Sequence, residues 1–202
     1  MKKSVLIFVI LLVVFGIYWF KFRAVDTKDS PKTEPLRASK HSNNFNNSLD
    51  TMLNAYFDLK AAFVEADTAM AKVAGKKFLL FIDSLKLNEL AEDTTGILES
   101  AAMQLGDIKA NAESLLKQND ITQMRQDFRM VGESIYPLLK TIHYEGKTLY
   151  WQNCPMAFGD GKEANWISNT EEIFNPYLGK KNPEFRATML HCGEVKDSIK
   201  AL

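Results

Sequence analysis

Two cysteines and three histidines are all the strong nitrogen and sulfur ligands in 202 residues. So few exclude a multi-disulfide scaffold and the four-cysteine zinc modules. No charge sign is in excess: 25 basic and 25 acidic side chains give a formal net charge of zero. Nucleic-acid partners need a basic footprint, and the chain has neither an arginine-rich run nor basic residues interleaved with aromatics. Nucleic acid is therefore excluded as a partner. The catalytic signatures are missing too. There is no C-x-x-C pair, G-x-S-x-G elbow, phosphate-binding glycine loop or H-E-x-x-H helix. The chain reads as a non-enzyme.

What is present begins with a long apolar run. Lys2 and Lys3 precede it, it covers residues 5–20, and Lys21 and Arg23 close it. A charged start followed by an apolar stretch is the pattern of an export signal. No small-residue cleavage site follows, and no cysteine is there for lipid attachment. Residues 1–23 are thus expected to be a signal anchor or a signal peptide. Residues 5–20 would be the membrane contact, with Tyr18 and Trp19 at the interface. The rest of the chain is then expected outside the cytoplasm, periplasmic and held to the cytoplasmic membrane by its N-terminus. Residues 24–46 are polar, mixed in charge and rich in proline and asparagine, which predicts a flexible linker with a solvated His41.

From residue 47 to about 145 the apolar residues recur at helical spacing. Leu49, Met52, Leu53, Tyr56, Leu59 and Phe63 form the first stripe, capped by Asn47 or Ser48. Met70, Val73, Phe78, Phe81, Ile82 and Leu85 form a second after an Asp67 cap. Ile97, Ala101, Leu105, Ile108, Ala112 and Leu115 form a third. Ile121, Met124, Phe128, Val131, Ile135, Leu138 and Ile142 form the fourth, with Asp120 and Gln123 spaced as a capping box and Pro137 inside it. Four such helices with short connections predict an antiparallel four-helix bundle. Methionines on these stripes are packing material.

The periodicity stops after His143. Residues 146–202 are rich in aromatics, glycine and proline, and predict an irregular lobe packed on the bundle, ending in a short helix over about 184–200. The fold class expected is therefore all-α. Both cysteines lie in this lobe, each within three residues of a methionine: Cys154 with Met156, and Cys192 with Met189. Pro155 biases Cys154 to an extended backbone, where Cys154 and Met156 share a side. On a helix, Met189 and Cys192 share a face and His191 points away. Two thiols and two thioethers are a soft ligand set, suited to Cu(I) or Ag(I). The same two cysteines in an exported protein are also what a Cys154–Cys192 disulfide leaves in a sequence. Both readings stand, with a pair of unbridged buried thiols as a third. His143, at the end of the fourth helix, and His191 are possible additional ligands.

Four blocks in order carry a family resemblance. They are Cys154-Pro155-Met156-Ala157, Trp166-Ile167-Ser168, Asn175-Pro176-Tyr177-Leu178-Gly179 and Met189-Leu190-His191-Cys192-Gly193-Glu194-Val195. This run resembles a bacterial DUF3347-type domain, and Asn54-Ala55-Tyr56 with Leu59-Lys60 and Ala62 resembles that family's first helix. The likeness extends over nearly all of residues 47–200. Such domains occur as stand-alone exported proteins and joined to periplasmic adaptor subunits of heavy-metal efflux pumps. Cys154-Pro155-Met156 is also similar to the Tyr-x-Cys-Pro-Met-His start of small heavy-metal-binding domains, with Ala157 where those have histidine. The resemblance implies an exported accessory domain in heavy-metal handling, copper above all, with efflux adaptor or pump components as partners. The alternative is a protein-interaction module with a structural Cys154–Cys192 disulfide. Residues 180–188 depart from the family as an insertion ahead of Met189, and leave open whether the second sulfur pair reaches the first.

Overall fold

The computed structural model describes Phe15, residues 41–92 and residues 95–200. The expected anchor over 1–23, apart from Phe15, and the expected linker up to residue 40 lie outside the described residues. The chain divides into two compact units, Met1–Ser39 and Lys40–Leu202, and all helices and strands named here belong to the second. No helix among the described residues is long and apolar enough to cross a membrane.

Helix α1 covers Asn43–Val64. It starts inside the expected linker because Ser42, not Asn47 or Ser48, caps it: the Ser42 hydroxyl accepts from the Phe45 amide at 3.1 Å. All six residues of its predicted stripe are at most 1% exposed. Helix α2 covers Thr68–Ser84, and Asp67 caps it as its position predicts, accepting from the Met70 amide at 2.8 Å. A 3₁₀ segment over Leu87–Glu92 leads to helix α3, Ile97–Lys117. Helix α4, Ile121–Thr141, is capped by Asp120, which accepts from the amides of Thr122 and Gln123. Successive helices pack on each other. Asp83 near the end of α2 pairs with Lys109 of α3, and Lys72 near its start bonds Asn119 beyond the end of α3, so the two run antiparallel.

The second stripe needs correction. Phe78, Ile82 and Leu85 are buried as expected, but Met70 and Val73 are exposed, and Ala71 and Ala74 are buried in their place. Small residues let α2 approach its neighbours closely, and the core contact rotates toward them; Gly75 meets Leu116 of α3. His41 is also not solvated. Its side chain is 10% exposed, Nε2 bonds the Ile142 carbonyl at 2.5 Å, and Nδ1 lies 3.3 Å from Glu89.

The all-α expectation fails after residue 148. Strands β1 (Leu149–Cys154), β2 (Ala164–Ser168) and β3 (Glu194–Ile199) form an antiparallel sheet in the order β2-β1-β3. The protein is a mixed α/β fold. The expected final helix over 184–200 is a series of turns followed by the edge strand β3. Charged residues on β3 (Glu194, Lys196 and Asp197) imitate a helix surface in sequence, but they belong to an edge exposed to water.

Three contacts tie this sheet to the helices. The Ile167 amide of β2 donates to the buried Tyr56 hydroxyl at 3.2 Å, satisfying part of that strand's open edge. Gly132 of α4 lets β2 come close, since a Cβ there would lie 3.2 Å from the Tyr56 hydroxyl and 3.7 Å from the Trp166 Cα. Arg125, 6% exposed, donates to the carbonyls of Pro176 and Phe63 at 2.8 and 2.9 Å. Phe63 lies in the last turn of α1, where the carbonyl end of the helix dipole favours a cation. Burial lowers the Arg125 pKa to about 10, still charged at neutral pH.

Candidate functional site

Cys154 is the last residue of β1 and fully buried. Its extended backbone agrees with the effect of Pro155. The partner cysteine is delivered by strand register. Asn153 pairs with Glu194, so one step further along the ladder Gly193 lies opposite Cys154 and Cys192 follows beside it. Gly193 has φ +143°, and a Cβ on it would sit 2.6 Å from the Asn153 carbonyl and 3.1 Å from the Trp166 ring. Only glycine lets the chain pass this close to β1.

Asn175, fully buried, holds the other side of the approach. Its side-chain amide donates to the Cys192 carbonyl at 2.8 Å, and its backbone amide donates to Leu190 at 2.8 Å. Its side-chain oxygen accepts from the amides of Tyr177 and Leu178 at 2.8 and 3.0 Å. The Tyr177 hydroxyl in turn donates to the Asn165 carbonyl on β2. The Asn-Pro-Tyr-Leu block is thus a polar clasp that fixes the cysteine-bearing turn against the sheet.

The result is a thiol pair. Cys154 Sγ and Cys192 Sγ are 2.8 Å apart, although 38 residues separate them in sequence. Both are free thiols, one buried and one half-buried. The insertion over 180–188 therefore does not carry Cys192 away. Burial first, and then the neighbouring Cys154 thiol, push the Cys192 pKa up to about 12. At neutral pH that sulfur carries its proton and is a poor nucleophile.

Met156 and Met189 are both half-buried and pack against the core. Met189 and Cys192 are joined by a turn, with the Cys192 amide on the Met189 carbonyl at 3.0 Å, rather than by the helix expected. His191 is exposed; its Nδ1 bonds the Ile173 carbonyl at 2.7 Å and its ring lies against Phe174. His143 is exposed in a left-handed conformation just past α4. Among the described residues, no group of three or more His, Cys, Asp or Glu side chains is placed to hold a metal ion, so neither histidine joins the thiols.

The donor chemistry fits a soft ion, and the distance sets a condition on it. A disulfide bond is about 2.05 Å long. At 2.8 Å the two sulfurs already touch, so the pair is placed for a bridge, and an ion held by both requires them to move apart.

Sequence reasoning missed the supports of this pair. Asn175 and Gly193 were visible only as members of the family blocks. Buried Arg125 carried no signal in the sequence, and Lys60 stood out only as part of the likeness to the family's first helix. Lys60 is 7% exposed, donates to Ser168 Oγ at 2.9 Å, and has its pKa lowered to about 8 by burial.

No curated protein matches the chain. No solved structure matches it. A family match covers residues 52–147, which hold most of α1 and all of α2, α3 and α4, and ends seven residues before Cys154. That stretch is a DUF3347-type domain, the family described as a protein of unknown function.

Proposed function

We propose that the chain is an exported accessory domain in heavy-metal handling, and that Cys154 and Cys192 together capture one soft ion, Cu(I) or Ag(I). The observation that carries this reading is the meeting of the only two thiols of the chain at 2.8 Å, each with a methionine within three residues. Met156 and Met189 are the thioethers nearest in sequence to complete the set. Burial and the neighbouring thiol push the Cys192 pKa up to about 12, so ion capture at that sulfur releases a proton and tightens as pH rises. Efflux adaptor or pump components are the partners this role implies, and residues 5–20 its membrane contact.

The test is a competitive Cu(I) titration of reduced protein, read with a thiol count before and after reduction. One ion per chain is expected, lost in both Cys154→Ser and Cys192→Ser. Reduced protein that takes up no Cu(I) refutes the reading.

A second reading is favoured by the same contact: a structural bridge in an interaction module. A bond between these cysteines would close a 38-residue span and stabilise the fold by roughly 3–4 kcal/mol in the chain-entropy model. Natively exported protein with no free thiols, and with a lower Tm after reduction, would support it. A raised pKa at Cys192 is the opposite of what a thiol enzyme needs. Slow alkylation at pH 7 that accelerates above pH 10 would agree with a non-catalytic pair.

A further inference from the structure

Helix α2 carries an apolar stripe that folding leaves outside. Met70, Val73 and Leu80 are 46%, 70% and 64% exposed. With Lys77 they follow a 3-4-3 spacing, which sets them along one outward side of the helix. The opposite side is spent on the core through Ala71, Ala74, Phe78 and Ile82. The flanks are engaged as well. Lys77 reaches Asp58 of α1 at 2.9 Å, and Asp83 reaches Lys109 of α3 at 2.6 Å. Apart from the ion pair of Lys77 with Asp58, the outward side of α2 takes no part in the core among the described residues.

Its chemistry is apolar and basic. Lys76 and Lys77 are exposed between Val73 and Leu80, and Lys72 lies beside them. Asp83, the one acidic residue of the helix, is already held by Lys109. A second copy of the chain is a poor match for this face. Two-fold antiparallel packing along the stripe would centre near residue 76 and set the lysine pairs of the two copies against each other. A surface of fixed negative charge that also accepts apolar side chains is the complement. Phospholipid headgroups over acyl chains have both properties, and lysine stems can lie along such a boundary with their charges in water.

We propose that the outward face of α2 docks on an anionic membrane surface. Met70, Val73 and Leu80 enter the boundary between headgroups and acyl chains, Lys76 meets lipid phosphate, and Lys77 exchanges its exposed Asp58 partner for one. The apolar run over residues 5–20 supports the choice of partner, because as an anchor it keeps a bilayer within reach. The 20 residues from 21 to 40 span at most about 70 Å when extended. This proposal is independent of whether the thiols bind an ion.

Methionine methyl signals provide the test. Met70, Met103 and Met130 are similarly exposed, at 46%, 68% and 45%, but sit on three different helices. The full chain would be placed in nanodiscs containing phosphatidylglycerol and a trace of headgroup-spin-labelled lipid. Paramagnetic relaxation is expected to be several-fold stronger at Met70 than at Met103 and Met130. Reversing both lysines in Lys76→Glu/Lys77→Glu should cut that excess by roughly tenfold or more. Phosphatidylcholine alone should cut it as well. The buried Met52 and Met124 methyls report that the variant is folded. Equal relaxation at all three exposed methyls overturns the proposal, as does none. A Met70 signal blind to lipid but shifted by polyglutamate also overturns it, and assigns the face to an acidic protein.

Discussion

The helical part and the sheet-bearing lobe of this protein follow opposite rules. Each helix has one buried side and one wet side, so its apolar residues recur at three- and four-residue steps. The lobe buries polar side chains among its apolar ones: Gln152, Asn153, Ser168 and Asn175 are at most 3% exposed. Regular packing holds the first, and specific hydrogen bonds to backbone groups hold the second. A fold built in the first way tolerates change in proportion to volume. One built in the second way fails at single atoms.

The largest effect expected is where the two parts share a side chain. Phe128 of α4 contacts Tyr56, Phe63 and Tyr177 at ring distances of 5.1, 4.9 and 6.1 Å. Phe128→Ala should cost about 3–5 kcal/mol. Far-ultraviolet and tryptophan signals should shift to one common lower midpoint in urea. Two separated transitions would break the view that sheet and helices unfold together.

Gly193→Ala sharpens the comparison from the other side. The substitution puts a Cβ into the Asn153 carbonyl at a backbone angle unsuited to it, for about 2–4 kcal/mol. The helical signal should persist at room temperature while alkylation of Cys154 and Cys192 quickens. Thiols that stay as slow as in the parent protein would contradict the role given to this glycine.

Lys60→Met should move stability the other way. Burial lowers the Lys60 pKa from 10.5 to about 8, so between those values the unfolded chain binds more protons than the folded one. Stability therefore rises with pH from about 8 to 10.5, and the penalty for the buried ammonium is fully present below 8. Removing the amine should stabilise the protein at pH 6.5 by about 1–2 kcal/mol, after loss of the bond to Ser168 is counted. The gain should shrink at pH 10. Urea midpoints at the two pH values decide it, and an equal gain at both would sink this account.

The smallest effect belongs to Asp197 on β3. Its carboxylate accepts from Lys140 Nζ at 2.6 Å and from the Tyr136 hydroxyl, and these bonds lower its pKa from 3.8 to about 2. Its side chain is 45% exposed, so solvent screens most of the interaction. Asp197→Asn should cost less than about 1 kcal/mol at pH 7. The difference should vanish as pH falls below 3.8 toward 2, where the native carboxylate takes up its proton. Melting temperatures at pH 7 and pH 2.5 read this directly.

The helices were legible in the sequence because one face decides each of them. Leu49, Tyr56 and Phe63, or Met124, Phe128 and Val131, announce a buried side wherever the chain continues. The strands had no such signal. β1 and β2 are covered on both faces, so buried and partly buried residues follow one another without alternation. β3 is an exposed edge whose charges resemble a helix surface. Cys154 and Cys192 were legible as a pair, since residue type and neighbours mark them. Their supports were not. Asn175 and Gly193 act through backbone atoms of distant residues, and a sequence does not display which carbonyl a side chain will find. The exposed Met70 and Val73 look like core in the sequence because an outward apolar stripe has the same spacing as an inward one.

The knot around His41 has a mechanical consequence. Its ring bonds the Ile142 carbonyl beyond the end of α4, its backbone amide donates to Glu145 at 3.1 Å, and the neighbouring Ser42 amide donates to Glu89 at 2.7 Å. Tension arriving along the chain ahead of residue 41 would load these bonds before it reached the first turn of α1. They connect to the end of the last helix and to the 3₁₀ segment, so a pull on the N-terminal side is shared between distant parts of the chain. The unit has its strain relief at the point where a tether would draw on it.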